Sequence, residues 1–189
     1  MPSVKRQERG EKRRLEVLDA TIRVLTKLGP RGVTHRAVAA EAGTSIRATT
    51  YYFSSRDELL TQALLHYADK AIERIEALKL PLPDSSDAAL DVAAHMLALT
   101  VVSDLVDDRD GLVAEYELVL EIGRNPSLES VYRTWQARLE QMLIEYAQVF
   151  GASDPSGDAR IILATLRGIE IEALARPSQE PDLQELTQL

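Results

Sequence analysis

The chain of 189 residues contains no cysteine. Disulfides, thiolate catalysis, iron–sulfur clusters and cysteine-ligated zinc are therefore excluded. No apolar run approaches the ~20 residues that cross a bilayer, so no membrane partner is expected. The first residues, MPSVKRQERGEKRR, are basic, and no apolar segment follows them as a secretory signal requires. The expected compartment is the cytoplasm. Period-2 alternation of the kind that marks strands is missing, and no internal repeat occurs. There is no Gly-rich phosphate loop, no His-Glu-x-x-His run and no nucleophile elbow, so no enzyme activity is expected. The three histidines, His35, His66 and His95, lack metal-ligand spacing. No metal and no cofactor are expected.

Charge is present, and it is unevenly shared. The whole chain carries −8. Residues 1–60 hold 12 Lys/Arg against 7 Asp/Glu, a local +5, whereas residues 61–189 hold 10 against 23, a local −13. A basic N-terminal third points to an anionic partner for that part alone.

Helical periodicity runs through the rest. Leu15, Leu18, Ile22, Leu25 and Leu28 form one apolar stripe, and Gly29-Pro30 stops it. Thr34 is an N-cap for a short helix ending near Ala42, with Gly43 as its C′ residue. Thr44 or Ser45 caps another short helix to about Tyr51. Ser55-Arg56-Asp57-Glu58 reads as a capping box that opens a longer helix to about Lys79. A linker, Leu80 to Ser86, follows. Further helices are expected near 87–105, 112–123, 126–150 and 158–175, before Pro177 and Pro181 break the tail. The expected fold class is all-α.

Two short helices joined by Ala42-Gly43-Thr44-Ser45 form a helix-turn-helix pattern. The second would enter the major groove of double-stranded DNA with Ser45, Arg47, Thr49, Thr50 and Tyr51. Arg56, at the next helix N-terminus, is a candidate phosphate clamp. Thr34 is a candidate phosphate contact as well as a cap.

The runs Thr34-His35-Arg36-Ala37-Val38-Ala39-Ala40-Glu41-Ala42-Gly43-Thr44-Ser45 and Tyr52-Phe53-Ser54-Ser55-Arg56-Asp57-Glu58-Leu59-Leu60 are specific as a set. They resemble the DNA-binding domain of the tetracycline-repressor (TetR) family over about residues 11–65. Arg47 departs from the small residue frequent in that family, Thr49 from an aliphatic one, and Thr50 from a tyrosine. The resemblance implies a bacterial, dimeric transcription regulator, a repressor whose all-helical C-terminal domain binds a small molecule that releases the operator. It adds Arg36 and Tyr52 to the DNA-binding set. The domains are then 1–54, a helix-turn-helix unit with a basic arm over about 1–10, and 55–189, a helical effector-binding and dimerisation unit. The alternative reading is a helical enzyme, or a protein-interaction adaptor, without specific DNA binding.

Within residues 55–189, His95, Tyr116 and Trp135 are candidate ligand contacts, because each offers a polar group among apolar helices. The expected effector is small and largely apolar. Ala164, Gly168, Ile171 and Ala175 share one face of the last strong helix, and their small size permits close helix approach. That face is a candidate homodimer seam, although intrachain packing would produce the same pattern. A dimer would read a palindromic operator.

Overall fold

A computed structural model describes residues 2–77 and 86–176 of the chain. Most of the expected linker, and the tail from Pro177 onward, lie outside the described residues. Helices account for all the regular structure among the described residues: α1 (Pro2–Gly32), α2 (His35–Glu41), α3 (Ile46–Tyr52), α4 (Arg56–Ala77), α5 (Ser86–Val106), α6 (Arg109–Ile122), α7 (Glu129–Val149) and α8 (Pro155–Ala175). A 3-10 turn, Pro126–Leu128, leads into α7. The arm expected over 1–10 is helical from Pro2. At Gly29 the backbone of α1 turns to φ 67° and ψ 178°, so the helical path breaks where Gly29-Pro30 predicts.

Two compact units emerge. The first comprises residues 1–68 and 110–132, the second residues 69–109 and 133–189. The packing division falls inside α4, after Ala68, and α6 packs with the first unit.

The first unit is built on apolar faces of α1, α2 and α4. Val17, Leu18, Leu25, Val38, Phe53, Leu59, Leu60 and Leu64 are all buried there. Leu15 and Leu28, at the two ends of the α1 stripe, stay exposed. Charged contacts rim this core. Arg23 and Lys27 of α1 both meet the Glu41 carboxylate at the end of α2, at 2.8 and 2.9 Å. His66 Nε2 lies 2.8 Å from Asp19 Oδ1, which ties α4 to α1. Thr26 donates to the carbonyl of Asp110 at 2.7 Å, and Asn125 donates to Asp57 at 2.9 Å. These bonds anchor α6 and the turn after it.

In the second unit, α5 packs along α8. Arg74 of α4 bridges Asp104 and Asp108 at 3.0 and 2.8 Å. Burial pushes the Asp104 carboxyl above its ordinary pKa, although Arg74 pulls it the other way. Arg109 donates to the carbonyl of Leu174 near the end of α8, where a cation suits the exposed carbonyls.

Hydrogen bonds from Lys27 and Arg23 hold the Glu41 carboxyl below the usual carboxylate range. A lowered folded pKa means stability present above the unfolded pKa and lost as pH falls through the folded one. Glu41→Gln should therefore flatten part of the acid limb of stability against pH. Because the pair is solvent-facing, the difference should shrink at high salt. Thermal melts of both proteins from neutral to acid pH, at two salt concentrations, measure it.

Candidate nucleic-acid interface and effector cavity

The recognition element is assembled from local rules. Thr34 caps α2, accepting the N–H of Ala37 at 3.1 Å, and Ser45 caps α3, accepting the N–H of Ala48 at 3.1 Å. Between them, Thr44 N–H bonds the carbonyl of Ala39 at 2.9 Å and Gly43 N–H that of Ala40 at 3.3 Å. This is a Schellman turn, and its C′ residue, Gly43, sits at φ 58°, where a side chain would be strained. The angle between the two short helices is set by that turn.

Helical geometry then sorts α3. Arg47, Thr50 and Tyr51, at spacings of three and four, share one exposed face, and Tyr51 is 81% exposed. Among the described residues the exposed Arg47 side chain makes no hydrogen bond or ion pair, so its guanidinium fork is available for the edge of a guanine. Thr50 spends its hydroxyl proton on the carbonyls of Ile46 and Arg47 and keeps its lone pairs and methyl outward. Ser45 and Thr34 do the reverse. Their oxygens serve as caps, and their hydroxyl protons remain to donate to phosphate. Arg36 is exposed on the first turn of α2, and Tyr52 is half-buried, edge-on to Tyr51 with ring centroids 5.1 Å apart.

Two sequence expectations change. Thr49 is 0% exposed; its hydroxyl donates to the carbonyl of Ile46 at 2.8 Å and approaches that of His35 at 3.4 Å. It is a core residue of the helix pair, not a groove residue. The family's aliphatic preference at this position was the signal: aliphatic positions are buried ones. Arg56 turns into the fold. Its Nη2 donates to the carbonyl of Pro30 at 2.7 Å and lies 3.5 Å from Glu121. It ties the broken end of α1 to α4 and α6, which leaves the phosphate-clamp reading without a free guanidinium. Glu121 and Glu115, both buried, were not singled out from the sequence. The capping box also shifts by one residue. Ser55 accepts the N–H of Glu58 at 3.1 Å, but Glu58 receives the backbone and hydroxyl protons of Ser54 at 2.6 Å. Those bonds lower the Glu58 pKa.

The second unit contains a cavity of about 470 Å³. Helices α4, α5, α7 and α8 supply its walls, mainly through Met96, Leu97, Met142, Tyr146, Ile162 and Leu166. Its size suits a small organic ligand, for which about 300–1,000 Å³ is usual. The expected ligand residues are not among those lining it. Trp135 is 4% exposed in the body of α7, His95 is half-buried on α5, and Tyr116 belongs to the first unit. Polarity among apolar helices identified residues near buried surface; it could not say which faces leave a space open.

Ala164, Gly168, Ile171 and Ala175 are all exposed. Ile161, on the same side, is 66% exposed and Ile171 53%. At 100° per residue this stripe lies about half a turn from Ala159, Leu166 and Glu170, which face inward.

Comparison with known proteins agrees with this architecture. The family described as "Bacterial regulatory proteins, tetR family" matches residues 17–63, and "Tetracyclin repressor-like, C-terminal domain" matches residues 84–189. The nicotine-responsive transcriptional repressor HdnoR of Paenarthrobacter nicotinovorans is 27% identical over 176 residues, covering 88% of this chain and 86% of that protein. A TetR family member from Streptomyces coelicolor superposes with a TM-score of 0.72 at 31% identity, covering 93% and 94% of the two chains. The multidrug binding protein EbrR, solved with ethidium, gives 0.69 at 31% identity, covering 93% and 95%. The chain belongs to the TetR family and is a ligand-responsive, DNA-binding transcription regulator.

Proposed function

We propose that this protein is a cytoplasmic homodimeric repressor that releases a palindromic operator when a small, largely apolar molecule fills the cavity of its second unit. Residues 1–54 read the operator, and residues 55–189 bind the effector and dimerise. The observation that carries this reading is the open apolar cavity itself. A protein that bound DNA constitutively would gain stability by filling it, since empty apolar space forfeits packing energy. A nicotine-responsive repressor and a multidrug binding protein among the relatives support an organic effector. Helix α4 gives the two events a common element. It buries Leu59, Leu60 and Leu64 in the first unit and supplies Ile75 to the cavity wall in the second. Coupling follows if the effector binds better to a conformation whose recognition helices are wrongly spaced.

On DNA, Arg47, Thr50 and Tyr51 read base edges, while Thr34, Arg36, Ser45 and Tyr52 hold phosphates. Arg47→Ala should weaken binding to an operator selected from a duplex library by about 1–3 kcal/mol and scrambled duplex by much less. Thr49→Val gives the contrasting result. It should lower folding stability by about 0.5–1.5 kcal/mol through lost hydroxyl bonds. Operator affinity of the folded fraction should not change. Fluorescence anisotropy with both duplexes, beside urea melts, separates the two roles. An equal Arg47→Ala loss on both duplexes would reassign that residue to phosphate.

The α8 stripe is the proposed dimer seam. A Cβ built on Gly168 meets nothing within 4 Å in the chain. Gly168→Leu should therefore leave the monomer no less stable, and somewhat more helical, because leucine is the better helix former by several tenths of a kcal/mol. Its dimer should nevertheless dissociate at lower dilution than the wild type in sedimentation experiments. An unchanged dimer would move the seam elsewhere.

A further inference from the structure

The cavity wall has a charge signature. Among the described residues that line it, Asp158 is the only acid, and none is Lys, Arg or His. Asp158 is an exposed member of the lining and stands at its rim. The backbone N–H of Asp158 bonds the carbonyl of Asp154 at 2.9 Å, but its carboxylate makes no hydrogen bond or ion pair among the described residues. An acid in the first turn of a helix is favoured by the helix dipole alone. In α8, however, Asp154 already caps that end by accepting the N–H of Gly157 at 3.0 Å. The rest of the wall is soft and polarisable. Both methionines beyond the first residue, Met96 and Met142, line it, as do Tyr146 and Phe150. Thioethers adapt to varied ligand shapes, and aromatic faces attract cations.

We propose that the effector is a lipophilic organic monocation, a quaternary or protonated tertiary amine on an apolar body. The body occupies the cavity among Met96, Met142 and Leu166. The cationic head stands at the mouth, beside the Asp158 carboxylate. A neutral molecule of the same shape would fill the apolar space equally well but leave that carboxylate without a partner. An anion would meet a single uncompensated negative charge. This inference rests on the reading of the cavity as the effector site.

A matched pair of probes tests it: naphthylmethyl-trimethylammonium and its neutral carbon isostere, neopentylnaphthalene. Binding of each to full-length protein without DNA is measured by calorimetry, for the wild type, Asp158→Asn and Asp158→Glu. Asp158→Asn should weaken the cation about three- to fivefold, the scale of an exposed ion pair, and leave the isostere unchanged. Asp158→Glu should restore most of the cation affinity, and added salt should erode the wild-type preference. Circular dichroism and thermal melts check that both variants keep the wild-type helix content and fold. The assignment is overturned if the cation fails to bind the wild type, if Asp158→Asn leaves its affinity unchanged, or if the isostere loses as much as the cation. Operator affinity with each probe is measured separately. If both probes bind and neither weakens operator binding, the effector reading fails while the charge selectivity of the cavity stands.

Discussion

A helix of seven residues cannot stand alone in water. Nucleation costs more than two turns of hydrogen bonds return, and isolated helices shorter than ~12–15 residues are marginal at best. Helix α3, Ile46–Tyr52, is such a helix, and its exposed face carries Arg47, Thr50 and Tyr51. Everything around it serves to hold it. Ser45 closes its first turn, the Schellman turn at Gly43 fixes its angle to α2, and Thr49 and Phe53 pin its inner side. Arg14 adds a cation–π contact, its guanidinium 5.7 Å from the centre of the Phe53 ring, while also bonding Gln62 of α4. Arg56 and Glu121 then tie the start of α4 to the broken end of α1. A basic residue that looks like a phosphate ligand in the sequence is held by partners within the fold.

That demand explains which parts were legible in advance. Caps and terminators act through one or two neighbouring residues, so Thr34, Ser45, Gly29 and Gly43 could be read directly from the chain. The core face of α1 was also legible, because Leu18, Ile22 and Leu25 recur at helical spacing, and all three are buried. Arg56 and Thr49 were not. Their partners, Pro30, Glu121 and His35, lie 26, 65 and 14 positions away. No local pattern encodes such contacts. For Thr49 a weaker signal existed: it shares the inner side of α3 with Phe53, four residues on.

The second unit shows the same limit more strongly. Its helices were placed to within a few residues, because periodicity and turn residues mark them. The cavity was not placeable, since empty space results from how four helices fail to meet. No single residue announces it. His95, Tyr116 and Trp135 were chosen for chemistry, yet the walls are made by plainer residues such as Leu97, Met142 and Ile162. The small-residue stripe on α8 was ambiguous between intrachain packing and a seam. In the structure Ala164, Gly168, Ile171 and Ala175 are exposed among the described residues.

Helix α8 presents two different faces. Ile162, Leu163 and Leu166 look toward the cavity, while the exposed stripe lies about half a turn away. A helix is stiff across its diameter, and packed interfaces tend to have discrete arrangements rather than continuous ones. A ligand that shifts the inner face must therefore move the outer face with it. On the dimer proposed above, a small rotation of α8 would alter the seam itself. Half-sites sit one helical turn of DNA apart, about 34–36 Å or a multiple, so neither recognition helix can follow its site independently. The same geometry sets what a useful effector must do. Occupying the apolar space is not enough, since a ligand with equal affinity for both arrangements shifts nothing however tightly it binds. The effector has to fit one position of α8 better than the other. Asp158, on the first turn of the same helix and at the mouth of the cavity, is placed where a fixed charge on the ligand would register that difference.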